Sequence, residues 1–247
     1  DPFLMLDYFS SDNPDDYLEG FPAHPHRGFE TVTYIIDGHM LHEDHLGNRG
    51  DLEAGGVQWM TAGRGIIHSE MPQMTEGLLR GFQLWINLPG KEKMKPAGYR
   101  DLEPEEIPRV YLGDSQVTVI AGVFSSPGAA PVTGPVGGGA TEPLYLDLAL
   151  TPASALHFDI PSTHTALIYV YEGALSVGAQ VIAKGTLGRL GEGDSVELTT
   201  SETSSRALVL AGKPLREPVV AYGPFVMNTT AEIEQAVRDY RSGRLTA

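Results

Sequence analysis

Glycine and proline divide this chain into short segments, and this punctuation constrains the fold more than any other feature. The 247 residues include 29 glycines and 18 prolines, and short runs of β-branched and aromatic residues lie between them. Runs of this kind, separated by turn signals, predict strands. Many short strands joined by turns predict an all-β sandwich or barrel. The clearest runs are 31–37, 56–62, 80–88, 116–124, 143–150, 165–171 and 206–212.

The C-terminal region carries a clear helix signal. Thr229 and Glu232 have the spacing of a capping box, in which each side chain bonds the backbone N–H of the other residue. Gly243 provides a C-terminal stop, so we expect a short amphipathic helix packed on a β body. Its apolar stripe consists of Ile233, Ala236, Val237 and Tyr240.

A segment near the middle divides the chain. Residues 125–143 are small, rich in glycine and proline and almost uncharged, as in a linker or a long exposed loop. We therefore expect an N-terminal domain over residues 1–124, and a C-terminal domain over residues 144–247 that ends in the helix.

An internal repeat supports this division. The strand-like sequence TVTYIIDG at 31–38 resembles ALIYVYEG at 166–173, and both end in an acidic residue and a glycine. A second match relates AGGVQ at 54–58 to EGDSV at 192–196, with a turn before a strand in each. The two halves are therefore predicted to share one fold.

Charge and cysteine content exclude several functions. A formal net charge of −15 repels phosphate backbones and anionic lipid surfaces, so we expect no direct binding to nucleic acid and no membrane association. The lack of cysteine removes disulfides and thiolate metal sites, and it fits a cytoplasmic location. No signal peptide or bilayer-spanning run is evident, and we expect that further residues precede the opening DPFLMLDYF.

Two pairs of metal-binding residue types indicate a metal site. His24 and His26 occupy positions i and i+2, and His68 and Glu70 repeat that spacing after a glycine-rich turn. Alternate residues of a strand point to one face, so two such strands can bring three imidazoles and a carboxylate together. This donor set suits one divalent transition metal, most naturally Fe(II), with Mn, Ni, Cu or Zn also compatible. An octahedral metal would keep one or two positions open for catalysis.

The same region resembles a known signature, the two-part cupin motif H-x-H-x3-E…G followed by G-x-x-H. Two departures are typical of pirins: the interval from Glu30 to Gly38 is one residue longer than usual, and residues 61–63 lack the common proline. The pirin resemblance extends over nearly the whole chain, through the blocks DPFLMLDYF, HPHRGFETVTY, GNRG, TAGRGIIHSE, LWINLP and YGPFVMNT. The chain is identified as a member of the pirin family, which implies two tandem cupin (jelly-roll type) β-barrel domains with a short C-terminal helix.

The resemblance to pirins bears on the fourth ligand. Cupins commonly use the glutamate of the first motif, here Glu30, whereas pirins take the carboxylate from the H-x-E pair, here Glu70. The resemblance thus implies Glu70 as the ligand beside the three histidines, and Glu70 shares a strand face with His68. Glu30 is then a neighbouring polar residue, and it is also the alternative ligand.

A function is also implied by the family. Pirins resemble quercetinases, metal-dependent 2,3-dioxygenases that cleave a flavonol such as quercetin with O2 and release carbon monoxide. Glu70 would then be catalytic as well, because it could accept the proton of the substrate hydroxyl. The alternative is a non-catalytic, metal-dependent redox-sensing regulator that binds a protein partner, and this role needs the same four residues.

Several other residues have more than one interpretation. Trp59 and Trp85 lie in strand-like runs, where they pack in a core or line an aromatic pocket. Arg64 precedes the strand of His68 and is a candidate for the pocket rim. Three further histidines are interpreted as parts of a solvated hairpin rather than a second metal site: His39, His42 and His45.

The second half lacks an equivalent donor set. Shifts of 135 and 138 residues place Pro161, Arg206 and Leu208 at positions equivalent to ligands of the first half. His157 and His164 are interpreted as ordinary surface or turn histidines. We therefore expect one metal per chain.

Overall fold

The computed structural model describes residues 1–247 and consists almost entirely of β-strands. The chain divides into two compact units. The N-terminal unit contains Pro2–Pro104 together with Leu215–Ala247, and the central unit contains Glu105–Pro214 with Asp1. The all-β prediction is confirmed.

Nine strands form the body of the N-terminal unit, joined by tight turns and two short 3-10 turns. They are β1 (Phe3–Ser11), β2 (Phe21–His26), β3 (Phe29–Asp37), β4 (His39–Asp44), β5 (Arg49–Glu53), β6 (Val57–Thr61), β7 (Ile66–Pro72), β8 (Leu79–Asn87) and β9 (Gly98–Leu102).

These strands form two antiparallel sheets. One has the order β1-β8-β3-β6-β9 and the other the order β2-β7-β4-β5, which is the strand arrangement of a jelly roll. Alternate residues of β7 are buried, and these are Ile66, His68 and Glu70. The pleat therefore directs the predicted ligand pair on β7 into the barrel.

The central unit contains twelve strands. They are β10 (Arg109–Leu112), β11 (Ser115–Ala121), β12 (Val123–Phe124), β13 (Val132–Thr133), β14 (Leu144–Leu150), β15 (Ala155–Asp159), β16 (Thr165–Glu172), β17 (Ala174–Val177), β18 (Gln180–Ala183), β19 (Thr186–Arg189), β20 (Ser195–Thr199) and β21 (Ser205–Gly212).

The sheets of the central unit repeat the topology of the N-terminal unit. One sheet contains the order β14-β21-β16-β19, which corresponds to β1-β8-β3-β6 of the N-terminal unit. The other has the order β15-β20-β17-β18, which corresponds to β2-β7-β4-β5. The repeat between 31–38 and 166–173 thus relates equivalent strands, β3 and β16. The second match was wrong, because 192–196 leads into β20, which is the counterpart of β7 rather than of β6.

The C-terminal region adds a hairpin and a helix, namely β22 (Val220–Tyr222), β23 (Phe225–Met227) and α1 (Thr230–Arg241). The capping box of Thr229 and Glu232 is present, as predicted. The apolar stripe of α1 buries Ile233 and Ala236 against β23 and Leu245. The helix is too short and too polar to cross a membrane.

The compact units group the residues differently from the domain boundaries expected from the sequence. The helix belongs to the same compact unit as Pro2–Pro104, whereas the sequence placed it in the second half. The segment 125–143 lies within the central unit and contributes β13, which pairs with β12. Chain order alone does not reveal that the last residues return to the first barrel.

Candidate metal centre

The pairing of β2 with β7 brings three histidines together. The register of these antiparallel strands places His24 directly opposite His68. The ring centroids lie 4.3 Å apart for His24 and His68, 4.8 Å for His24 and His26, and 5.0 Å for His26 and His68. One nitrogen from each ring lies within 4.8 Å of the others. These are the three histidines whose i, i+2 spacing predicts a common site.

Burial keeps two of these rings neutral. His26 and His68 are 2% and 1% exposed. Burial and the nearby His24 lower the pKa of His26 to about 3, although the carbonyl of Pro224 acts in the opposite direction. The pKa of His68 is held far below its usual range, first by burial and then by the neighbouring histidines. Neutral imidazole is the form that binds a metal.

Lone pairs in the cluster fit a metal. Nε2 of His68 is buried without a hydrogen-bond partner, and neither ring nitrogen of His26 makes a hydrogen bond of standard geometry. Nδ1 of His24 lies 2.9 Å from the carbonyl oxygen of Pro22 and donates to it, which leaves Nε2 of His24 with its lone pair. Buried polar atoms normally have partners, so the unpaired nitrogens of His26 and His68 call for an explanation. Three converging imidazole nitrogens are a donor set that suits a transition metal, which would supply the missing partner.

Glu70 lies near the cluster but has its own partners. Its carboxylate is 2% exposed, and it accepts hydrogen bonds from Thr33 Oγ1 at 3.0 Å and from Gln83 Nε2 at 2.8 Å. Trp85 Nε1 donates to Gln83 Oε1 at 3.0 Å. The carboxylate is therefore held by β3 and β8 and is not one of the groups that lie within 4.8 Å of one another. A cavity of about 20 Å³, enough for one water molecule, adjoins it.

Glu30 is bound elsewhere. Its carboxylate accepts hydrogen bonds from Trp59 Nε1 at 3.1 Å, Thr61 Oγ1 at 2.6 Å and Lys95 Nζ at 3.4 Å. Trp59 and Thr61 lie on β6, and Lys95 follows the 3-10 turn that ends at Glu92. None of these partners belongs to the histidine cluster. Glu30 thus has an ionic and hydrogen-bonded environment of its own.

Of the two tryptophans considered as pocket residues, only Trp85 contacts the cluster, together with Phe29, which the sequence did not single out. Trp85 and Phe29 lie edge-on to His26, with ring centroids 5.2 Å and 5.1 Å away. Trp59 instead pairs with Glu30, and the side chain of Arg64 is exposed. The sequence offered one signal for Trp85, because it lies two residues from Gln83 on β8 and so shares its face.

His42 was wrongly interpreted as part of a solvated hairpin. It is 1% exposed, and its Nδ1 lies 3.3 Å from Nδ1 of His68. Its ring stacks on Tyr99 at a centroid distance of 4.6 Å, and its Nε2 lies 3.5 Å from Asp44 Oδ2. Of the two flanking histidines, His39 is half-buried and His45 is exposed.

Arg27 anchors the end of β2 to the C-terminal region. Its side chain is 4% exposed and forms a 2.8 Å ion pair with Asp239 of α1. The guanidinium also donates to the carbonyl oxygens of Arg64 and Leu245. Because Arg27 follows His26, the helix supports the strand that carries two of the histidines.

The central unit fills the equivalent interior with apolar side chains. On β15 and β20, the counterparts of β2 and β7, the inward positions are buried and hydrophobic: Leu156, Phe158, Val196 and Leu198. His157 on β15 is exposed, as expected for a surface histidine. His164 lies in a turn, as expected, where its N–H donates to the carbonyl oxygen of Pro161. Its side chain is nevertheless only 4% exposed and lies 3.8 Å from Glu142.

Two jelly-roll barrels in tandem, one with a histidine cluster on paired strands, define the chain as a two-domain cupin protein. Residues 1–86 match the family model described as Pirin, and residues 145–246 match the Pirin C-terminal cupin domain. The chain therefore belongs to the pirin family.

Similar proteins carry two kinds of name. A Pseudomonas aeruginosa protein, provisionally named quercetin 2,3-dioxygenase, is 59% identical over 99% of this chain and 87% of its own length. Human Pirin is 43% identical over 99% of this chain and 82% of its own. A crystal structure of quercetin 2,3-dioxygenase from Acinetobacter baumannii is 38% identical, covers 100% of this chain and 86% of that one, and has a TM-score of 0.90.

Proposed function

We propose that the chain is a metal-dependent dioxygenase that cleaves a flavonol, such as quercetin, with O2. The observation that carries the proposal is the convergence of three imidazoles, two of them buried and neutral, with a buried carboxylate two residues from one of them. The names of the Pseudomonas and Acinetobacter relatives support the same substrate class. The net reaction converts the flavonol and O2 into a ring-opened ester and carbon monoxide, so no further oxidant is required.

The proposed ligands are His24, His26, His68 and Glu70, which hold one divalent metal, with Fe(II) preferred. Three neutral nitrogens and one carboxylate also accommodate Mn, Ni, Cu or Zn. Glu70 is favoured over Glu30 because it lies on the same buried face of β7 as His68. Thr33 and Gln83, which donate to Glu70, are neutral, so Glu70 could replace these hydrogen bonds by a bond to a metal without breaking an ion pair with either residue.

A bound divalent metal would supply Lewis acidity that lowers the pKa of a coordinated substrate hydroxyl. Glu70 would accept the proton of that hydroxyl. Thr33 and Gln83 position the two carboxylate oxygens through their hydrogen bonds. The half-buried Trp85 would offer an aromatic surface to a flat substrate, and the fully buried Phe29 packs against its ring at a centroid distance of 4.3 Å.

The test is turnover of quercetin by protein loaded with Fe(II), compared with metal-free protein. We expect loss of the flavonol absorption band together with release of carbon monoxide from the loaded protein alone. A flavone that lacks the 3-hydroxyl should not react, because it lacks the group that the metal binds. His26→Ala should abolish turnover through loss of a ligand.

Absence of carbon monoxide from loaded protein, with quercetin in excess, would refute the enzymatic proposal. One alternative would then become the leading account of the same four residues. That alternative is a metal-dependent, redox-sensing regulator that binds a protein partner through a surface altered by the metal's oxidation state.

A further inference from the structure

We propose that Asp44 and His42 form a relay that fixes His68 in the tautomer that presents a bare Nε2 to the metal. The proposal deepens the proposed function and rests on its metal site. Nε2 of His42 lies 3.5 Å from Asp44 Oδ2, and Nδ1 of His42 lies 3.3 Å from Nδ1 of His68. The three side chains therefore form a line from the hairpin between β4 and β5 to the histidine cluster.

The hydrogen bonds of Asp44 define the start of the relay. Its Oδ1 accepts from the backbone N–H of Leu46 at 2.9 Å and of Asn48 at 3.1 Å, and its Oδ2 accepts from Asn48 Nδ2 at 2.8 Å. Three donors directed at this carboxylate use its oxygens as acceptors only. The nitrogen of His42 that faces it is Nε2, which lies 3.5 Å from Oδ2 without a hydrogen bond of standard geometry and has no other partner. The proposal assigns the proton of His42 to this nitrogen, since a carboxylate can only accept.

The positions of the ring protons on His42 and His68 follow from neutral imidazole having one donor nitrogen and one acceptor nitrogen. With its proton on Nε2, His42 offers Nδ1 as an acceptor. The contact between the two Nδ1 atoms then requires a proton on Nδ1 of His68. Nε2 of His68 is left with a free lone pair, and this is the buried nitrogen without a hydrogen-bond partner.

Packing around His42 keeps its ring in this line. Tyr99 stacks on it with an interplanar angle of 27°. The Tyr99 hydroxyl donates to Asp101 Oδ1, and Gly50 on β5 makes room for that hydroxyl, since a Cβ there would lie 1.5 Å from it. His42 is therefore a positioning residue rather than a ligand.

The relay also has an electronic consequence. A histidine ligand whose second nitrogen donates a hydrogen bond toward an acceptor is a more basic ligand, and loss of such partners weakens metal binding by about 10- to 100-fold. His24 receives the same support from the carbonyl of Pro22. The relay supplies His68 with a stronger acceptor, because its far end is anionic.

The first test reads the tautomer directly in metal-free protein. Long-range ¹⁵N–¹H correlation spectra of the histidine rings should place the proton of His68 on Nδ1 in the wild type. His42→Phe keeps a ring for stacking on Tyr99 but removes the acceptor, so the proton of His68 should shift toward Nε2. An unchanged His68 tautomer in His42→Phe would overturn the relay, whether or not the protein is a dioxygenase.

The second test measures affinity for Co(II) by chelator competition, with the visible spectrum of the bound Co(II) as a second readout. His42→Phe should bind about 10- to 100-fold more weakly with an altered spectrum. His42→Gln should restore most of the affinity, because its amide oxygen can accept from His68 while its NH2 group donates to Asp44. His39→Phe is the matched control, since His39 lies on the same strand and pairs with Asp51 near the surface.

The outcomes separate the relay from the metal site. Equal Co(II) affinity and equal spectra in wild type and His42→Phe would overturn the relay, while loss of Co(II) in His26→Ala would still uphold the site. A wild type that binds no Co(II) would overturn the metal site and the relay's role in it. If His42→Phe does not fold, His42→Leu in the same assays and the His42→Gln tautomer spectrum decide the question.

Discussion

The two glutamates near the histidine cluster differ in the charge of their partners. Glu70 accepts from the neutral donors Thr33 and Gln83, whereas Glu30 accepts from Lys95 as well as from two neutral groups. A carboxylate that leaves an ion pair loses the attraction of a positive charge as well as a hydrogen bond, whereas one that leaves neutral donors loses hydrogen bonds alone. At the scale of single residues, this difference supports our proposal that Glu70, rather than Glu30, is the carboxylate ligand.

Exchange of each glutamate for alanine tests this difference. Glu70→Ala should weaken binding of Co(II) or Fe(II) at least about 10-fold, since it removes a carboxylate ligand. Glu30→Ala should leave metal affinity within about threefold of wild type and should lower stability through loss of its hydrogen bonds. Chelator competition and metal analysis provide the measurement. The reverse pattern would assign the ligand to Glu30, as in ordinary cupins.

The buried histidines also make the metal-free protein sensitive to acid. The pKa of His26 falls from 6.5 to about 3 on folding, so the unfolded chain takes up a proton first as the pH falls. The stability associated with neutral His26 is intact above about pH 6.5 and is lost progressively toward about pH 3. Between pH 6.5 and pH 5 the wild type should lose about 2 kcal/mol more than His26→Leu. Urea unfolding of both metal-free proteins at the two pH values measures this difference, and equal losses would contradict it.

The sequence predicted His24, His26 and His68 as a cluster because the i, i+2 spacing alone determines which side chains share a face. It did not predict the burial of His42 or His164. His42 belongs to β4, where three consecutive residues are buried, so alternation does not mark a buried face. Its ring is covered by Tyr99, which is distant in sequence. Spacing therefore identifies side chains on one face, and tertiary packing decides whether that face is buried.

At the scale of elements, the C-terminal segment supports the barrel that contains the histidine cluster through two buried cations. Arg27 pairs with Asp239 of α1. Lys93 Nζ donates to the carbonyl oxygens of Gly28 at 2.7 Å and Val226 at 3.0 Å, and burial lowers its pKa to about 8. Both cations join backbone near β2 to the C-terminal segment, so the helix and the hairpin before it restrain the strand of His24 and His26.

Asp239→Ala tests this restraint, because it should lower both the stability of the protein and its affinity for metal. It leaves the buried guanidinium of Arg27 without its carboxylate, which should cost about 2 to 4 kcal/mol of unfolding free energy. Because Arg27 follows His26, metal affinity should fall as well. Glu234→Ala is the control on the same helix, since the ion pair of Glu234 with Arg238 is exposed and should contribute less than about 0.5 kcal/mol. Equal stability of the two variants in urea unfolding would disprove the restraint.

The limits of α1 were predictable, but its docking position was not. The capping box and the left-handed Gly243, with φ of 69°, are local signals that mark where the helix begins and where the chain leaves it. The partner surface is built from β23 and the turn at Arg27, residues separated by most of the chain. Local sequence therefore specifies the helix, while the choice of barrel depends on contacts of high sequence separation.

At the scale of the whole molecule, one topology serves two different interiors. The N-terminal barrel directs polar side chains inward on β2 and β7, and the central barrel directs leucine, phenylalanine and valine inward on the equivalent strands. A shared fold therefore does not imply a shared site. The difference lies in the residues at the inward positions, which the strand pleat makes equivalent in the two barrels.

This asymmetry predicts one metal per chain, bound in the N-terminal unit. In the full-length protein, His24→Ala combined with His26→Ala should abolish metal binding, because it removes two of the three converging nitrogens. The matched control combines His157→Asn with His164→Asn in the central unit, where Glu142 lies 3.8 Å from His164 but no group of three converging ligands includes either histidine. That control should retain one equivalent of metal, as measured by elemental analysis against protein concentration. Two equivalents in the wild type, or metal retained by the His24 and His26 double variant, would place a second site outside the cluster and contradict the interpretation of the central barrel as a packed core.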